Sequence, residues 1–402
     1  MKTLLEHGEP DRSKVRIGVN AAFYSPKRVG VSIFIENLVA ELAKTWNLVV
    51  YTSVPEAFVG TGVDVREIPA LLRKDYARLY WQSFCLPGLL KRDKVDLLFS
   101  PLPELPPGIR IPAVAVVHDL TPLIIRNSSP FYHTILFWIG LHLLGNASAL
   151  ATVSDYTKSV LWNRKLCRGK PVVAIRNGTN FPGVQSAEIR RREIVGAGKT
   201  VVDFSAKPGD GILRLPDVPF VLYVGGFAGH KNVPLLLTAY RELANTIPHR
   251  LVLVGWAKDW ELDRLWRLVA EMDLESRVTL LRDIADAELV ALYSQCAFFV
   301  YPSRYEGLGL PVAEAMACGA PVLCSNATAI PELGGDAVIY FSPDSREELV
   351  FDMRRLIADG ELRRTLSEKG LIRARLFTWS RTAAAYSTLF QHVLKRGTRN
   401  NE

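Results

Sequence analysis

Cysteine is scarce in this chain and shows no pairing pattern. The five, Cys85, Cys167, Cys296, Cys318 and Cys324, are scattered along 402 residues. Their number is odd and none forms a C-x-x-C pair, which excludes an evident disulfide framework or thiolate zinc site. Four lie in apolar or helical stretches and read as buried free thiols of a reducing compartment. Long hydrophobic runs are missing too. No apolar stretch reaches the roughly 18 residues of a spanning helix. The opening Met1-Lys2-Thr3-Leu4-Leu5-Glu6-His7-Gly8-Glu9 lacks the apolar core of a signal peptide. The expectation is a cytoplasmic chain, resting at most on the inner face of the cell membrane.

Nucleotide fingerprints are absent as well. There is no G-x-G-x-x-G, which disfavours a nicotinamide dehydrogenase. Gly196-Ala197-Gly198-Lys199-Thr200 imitates the end of a P-loop. Glu193 stands where the first glycine belongs, and no clean strand precedes it. No carboxylate cluster suited to a metal appears, so no metal is expected. The excess of Lys+Arg (49) over Asp+Glu (41) is modest, at +8. It favours anionic partners such as nucleotide phosphates or acidic lipids, and it is too thinly spread for a nucleic-acid protein.

What is present is an alternation of short apolar runs and helical patterns. It occurs twice, over a length too great for one ordinary core. The expected fold class is α/β, with two doubly wound Rossmann-like domains facing a cleft. We expect an N-terminal domain over 1–205 and a C-terminal domain over 206–379, with a final helix at 380–396 crossing back to the first. Residues 179–219 lose periodicity and read as insertion and linker.

One stretch dominates. Ala297-Phe298-Phe299-Val300 reads as a buried strand, and Glu306-Gly307-Leu308-Gly309 as a tight loop. Leu310-Pro311-Val312-Ala313-Glu314-Ala315-Met316-Ala317 carries helix formers with proline near the first position. A loop between a strand's carboxyl end and a helix's amino end suits a phosphate. Glu306 and Glu314 frame it. From residue type alone two readings stand: a capping and a solvated carboxylate, or two carboxylates that hold sugar and ribose hydroxyls.

Other segments repeat the pattern. Val15 to Val19 is a strand, and Gly30 opens a helix. Pro112 to Val117 is a strand ending at His118-Asp119-Leu120, where open sheets place ligands. Ser154 is the expected N-cap of the helix that follows it. Phe220 to Val224 runs into Gly225-Gly226, and Lys231 follows before a helix, placed to meet a diphosphate as a point charge. Residues 71–94 are basic and aromatic together, which reads either as a lipid-facing surface or as a solvated helix with its aromatics in the core. Phe131 to Leu144 is too short to span a bilayer, and packing against the sheet is the preferred reading.

Glu306-Gly307-Leu308-Gly309-Leu310-Pro311, with Glu314-Ala315-Met316-Ala317-Cys318-Gly319 and Pro321-Val322, resembles the E-x7-E signature of retaining glycosyltransferases of family four. That resemblance implies the GT-B fold and hexose transfer from a nucleoside-diphosphate sugar to a saccharide or lipid-linked acceptor. It implies His118 and Glu306 against the sugar, Glu314 on the ribose and Ile284 beside the base. Lys231, Gly30, Gly225, Gly226 and the Gly307, Leu308, Gly309 and Leu310 backbone would serve the diphosphate. No cofactor or metal is implied. Gly226 and His230 stand where the family usually has an arginine. The His118-Asp119-Leu120 form and the Lys231-Asn232 pair resemble mannosyl-transferring members, with GDP-mannose as the leaning donor. The rival reading is a catalytically silent nucleotide-sugar-binding subunit.

Overall fold

The computed structural model describes residues 12, 14–25, 30–73, 75–125, 131–181, 218–256 and 258–399. The chain forms two units. One comprises Met1–Gly178 with Trp379–Glu402, and the other Thr179–Thr378. The expected boundary at 205/206 and most of the 179–219 insertion lie outside the described residues, as does the P-loop imitation.

In the first unit the described sheet has seven parallel strands: β1 (Arg16–Ala21), β2 (Asn47–Thr52), β3 (Asp64–Glu67), β4 (Leu97–Ser100), β5 (Ala113–Val117), β6 (Ala149–Thr152) and β7 (Val172–Ala174). Their order is β3-β2-β1-β4-β5-β6-β7. β4 and β5 are buried at every position, as a sheet covered on both faces requires. The strand β3 has no counterpart among the apolar runs of the sequence. Its sequence Asp-Val-Arg-Glu offers no apolar run, because it is a half-exposed edge.

The second unit repeats the plan with β8 (Phe220–Val224), β9 (Arg250–Val254), β10 (Val278–Leu281), β11 (Phe298–Tyr301), β12 (Val322–Ser325) and β13 (Ile339–Phe341). The order is β10-β9-β8-β11-β12-β13, again parallel. Both sheets thus have the doubly wound order, in which the winding direction reverses beside the first strand. In the second sheet the reversal falls between β8 and β11, so a crevice opens past their carboxyl ends.

The long helix Trp379–Arg399 packs within the first unit. Its Tyr386 ring lies 5.3 Å from Phe99 and 6.0 Å from Phe34. Ser387 Oγ pairs with the Trp46 indole N–H at 3.0 Å. Tyr386 is fully buried, yet its hydroxyl has no hydrogen-bond partner among the described residues. Tyr386→Ala is therefore expected to cost about 3–5 kcal/mol through the cavity it leaves. Tyr386→Phe removes only the orphaned hydroxyl and is expected to be neutral or to stabilise by about 1 kcal/mol. Urea unfolding of the two variants checks both signs.

Two surface elements depart from expectation. The helix Phe131–Leu143 carries no Asp, Glu, Lys or Arg, yet among its side chains Leu141 is buried in the core and Phe137 packs against it half-buried. Gly140 brings the backbone against Pro103, where a Cβ would meet the carbonyl at 2.8 Å. Phe131, Tyr132, Ile135, Trp138 and Ile139 stay exposed, so the helix packs one side on the core of the sheet and leaves the rest of its apolar length uncovered. The helix Asp75–Phe84 leaves Tyr76, Tyr80 and Phe84 exposed while Trp81 is buried. Its Arg78 is buried and grips Glu104 with two 2.8 Å hydrogen bonds. That arginine is thus committed inside the unit rather than offered to an anionic surface. Among the described residues no helix is long and apolar enough to cross a membrane.

Candidate active site

The crevice past β8 and β11 is built from four short segments. Gly225 and Gly226 leave β8. A Cβ on Gly255, at the end of β9, would stand 1.8 Å from the Gly225 carbonyl oxygen, so only glycine lets these two strand ends meet. Gly229–Lys231 forms one helical turn, closed by Asn232 in the left-handed region (φ 59). Asparagine tolerates that conformation, and its Nδ2 donates to the carbonyls of Pro302 and Pro343 at 3.2 and 2.8 Å. The Arg304 amide donates to the His230 carbonyl at 2.8 Å. The lysine turn is therefore stitched to the loop after β11.

That loop carries Glu306. Its amide donates to Thr328 Oγ1 at 3.0 Å, and the same hydroxyl donates back to the Glu306 carbonyl at 3.1 Å. Gly309, at φ 90, turns the chain into the helix Leu310–Ala317. Gly307, Leu308 and Gly309 are buried, and Leu310 is half-buried at the helix start. The first amides of that helix are the anion-binding feature expected from the sequence.

Lys231 and Glu306 meet directly. Nζ lies 2.7 Å from Glu306 Oε1, and the Tyr301 hydroxyl donates to the same oxygen at 2.7 Å. The lysine side chain is 19 % exposed and the glutamate 11 %, which makes this a largely desolvated pair. Burial by itself pushes the Glu306 carboxyl up. The Lys231 ammonium and hydrogen bonds from Lys231, Ser303 and Tyr301 outweigh it and hold the group below its usual range. Glu306 is thus a fixed anion. Lys231 contacts Glu306, and Tyr301 Oη lies at 3.5 Å. An ammonium has three protons, which leaves capacity for a phosphate oxygen.

Glu314 is set differently. It sits inside the helix, where its Oε2 accepts from the Tyr293 hydroxyl at 3.3 Å. Burial raises its carboxyl to about 7 against the lowering effect of that hydrogen bond. The two carboxylates of one motif therefore have opposite electrostatics: one is paired with a cation and the other is held by a neutral hydroxyl. Ile284 is half-buried just past β10, after Asp283 in the left-handed region (φ 51).

His118 and Gly30 belong to the first unit. Gly30 is exposed at the start of the helix Gly30–Leu42, with open space where a Cβ would be. His118 follows β5. Its Nε2 faces the Pro101 carbonyl at 2.9 Å, so in the neutral ring Nε2 carries the proton and Nδ1 is the acceptor. Burial lowers its pKa, against the Pro101 carbonyl and the Asp119 charge. Phe34 packs edge-on to the ring at 4.8 Å. Asp119 accepts from the Thr121 amide at 2.9 Å and so orders the loop backbone.

Tyr301, Tyr293 and Thr328 were not singled out in the sequence. Tyr301 ends a strand that reads as plain core, and the other two lie on other segments. Ser154 does cap its helix, accepting from the Thr157 amide at 3.0 Å. Among the described residues no three or more His, Cys, Asp or Glu side chains gather as a metal site.

Two family models match the chain, one on each unit: "Glycosyltransferase Family 4" over residues 29–181 and "Glycosyl transferases group 1" over residues 212–373. The chain belongs to the family four glycosyltransferases. The O-antigen chain mannosyltransferase B of Escherichia coli is 37 % identical over 176 residues, which are 42 % of this chain and 46 % of that protein. The match thus spans less than half the length of that relative. Among solved structures, the sucrose-phosphate synthase of Thermosynechococcus elongatus superposes with a TM-score of 0.74 at 21 % identity, covering 95 % of this chain and all of that one. The Anabaena HepE protein, solved in complex with UDP and glucose, gives 0.67 at 17 % identity, covering 94 % of this chain and all of that one. This glycosyltransferase accordingly has the GT-B fold.

Proposed function

We propose that this glycosyltransferase moves a hexose from a nucleoside-diphosphate sugar to a hydroxyl of a saccharide or lipid-linked acceptor, with retention at the anomeric carbon. The observation that carries the reading is the Lys231–Glu306–Tyr301 cluster at the reversal point of the second sheet. Glu306, kept ionised, accepts hydrogen bonds from sugar hydroxyls. Lys231 and the amides around Gly307 to Leu310, with Gly30, stabilise charge growing on the departing diphosphate. Glu314 accepts from the ribose, Ile284 borders the base, and the Gly225-Gly226 turn lets the phosphates approach. His118, neutral and fixed, offers Nδ1 to a sugar hydroxyl.

In the reaction the bond from the anomeric carbon to the β-phosphate oxygen breaks and a bond to the acceptor oxygen forms on the same face. The acceptor proton passes to the departing phosphate. Catalysis in this scheme uses no metal or other cofactor, since Lys231 supplies the positive charge. The mannosyltransferase relative and the Lys231-Asn232 pair support mannose, with GDP as the carrier. The relative's O-antigen role supports work in cell-surface polysaccharide or glycolipid assembly. The exposed aromatics of residues 71–94 support peripheral contact with an anionic membrane.

The test is release of nucleoside diphosphate from a panel of GDP-, UDP- and ADP-sugars, with and without acceptor saccharides. Selective release from GDP-mannose that falls about 10²-fold or more in His118→Ala supports the scheme. Tight binding of one nucleotide sugar without any release supports the silent-subunit reading instead.

A further inference from the structure

The first sheet has a second concavity, at the edge opposite His118. Its volume is about 670 Å³. Its wall forms where strands begin: Pro112 precedes β5, Ser148 precedes β6 and Pro171 precedes β7. The helix Trp379–Arg399 closes one side. Pro112 and His118 flank β5, so the cavity lies roughly 20 Å from His118 at 3.3 Å per strand residue.

Three permanent cations line this space: Arg110, Lys170 and Arg396, joined by His392. They come from three separate segments and meet only through the fold. No described hydrogen bond or ion pair engages their side chains. The one carboxylate of the lining, Asp96, is already held, accepting from the Arg16 amide at 2.8 Å. A further cation borders it. Arg168 Cδ lies 3.4 Å from where a Cβ on Gly145 would stand, next to the lining residue Asn146. Arg168 (φ 46) and Lys165 (φ 56) both occupy the left-handed region that side chains rarely adopt.

Like charges around a concave, partly apolar wall repel one another and focus a positive field. An anion seated among them turns that repulsion into attraction. Guanidinium forks match pairs of phosphate oxygens, and an ammonium adds a point charge. We propose that this edge is a second anion site, taking a phosphate- or pyrophosphate-bearing ligand apart from the donor crevice. The same chemistry serves a free phosphorylated metabolite or a phospholipid headgroup. The site is independent of the donor assignment.

The test uses the full chain carrying Lys231→Ala with Glu306→Gln, which removes the donor-side cation, its fold checked by a cooperative melt. Inorganic pyrophosphate is titrated by calorimetry into this protein and into versions adding Arg110→Ala with Lys170→Ala, or Arg396→Ala. Affinity should fall about tenfold for each cation removed. In parallel, vesicles of phosphatidylcholine with and without phosphatidylglycerol are sedimented with the same proteins. Pyrophosphate binding that the added substitutions weaken supports a soluble ligand. Phosphatidylglycerol-dependent sedimentation alone, lost in the same variants, supports a headgroup. Neither binding mode, or binding indifferent to all three substitutions, overturns the site.

Discussion

Lys231→Ala is expected to lower nucleoside-diphosphate release by about 10²–10³-fold, the scale set by losing one preorganised charge-stabilising group. The same change should be costly for stability. It strands the Glu306 carboxylate, which is only 11 % exposed and keeps just the Tyr301 hydroxyl and its local hydrogen bonds. Removing one partner of a buried ion pair typically costs about 3–5 kcal/mol. Adding Glu306→Gln removes the stranded charge, because an amide needs no counterion. The double variant should therefore regain most of the lost stability and none of the activity. Chemical denaturation and donor-release assays of the single and double variants separate the two effects. If Lys231→Ala released nucleotide at the original rate, the lysine would be structural only.

Glu314→Gln should alter how both stability and nucleotide affinity respond to pH. Burial raises the folded carboxyl to about 7 from an ordinary value of 4.5. The fold thus prefers the protonated acid. Its stabilising contribution is complete below about 4.5 and is lost as pH rises through about 7. Between about pH 5 and about pH 8 the parent protein should lose several degrees of melting temperature that the glutamine variant keeps. Ligand binding should run the other way. The ionised carboxylate is the better acceptor for ribose hydroxyls, so affinity should rise toward pH 8, by up to about tenfold per pH unit below the pKa. In Glu314→Gln that slope should vanish and affinity fall about ten- to a hundredfold. Parallel pH profiles for the two proteins would remove Glu314 from the ribose role.

The central loop was legible because its chemistry is local. Gly309 must take φ 90 and Pro311 starts a helix, both of which are written into consecutive residues. The doubly wound plan of both units followed from the alternation, since the inner parallel strands carry buried apolar runs. The edge strands β3 and β13 escaped notice because one is polar and the other has only three residues. The partners of the two glutamates were harder still. Tyr293 and Thr328 lie 21 and 22 residues from the groups they hold, and only the sheet order brings them there. The partner of Arg78 within the basic stretch 71–94 was hidden for the same reason, since Glu104 lies 26 residues away. The helix Phe131–Leu143 shows that apolar composition alone does not say what covers a face: Gly140 and Leu141 are buried and Phe137 packs beside them, while five large apolar side chains stay exposed.

The most direct test of the donor-site assignment is a calorimetric titration of GDP and UDP into the parent protein and into Lys231→Ala with Glu306→Gln and Glu314→Gln. One nucleoside diphosphate should bind preferentially, GDP ahead of UDP, with affinity reduced at least about tenfold in either altered protein. Equal binding of both nucleotides to all three proteins would place the donor elsewhere and contradict it.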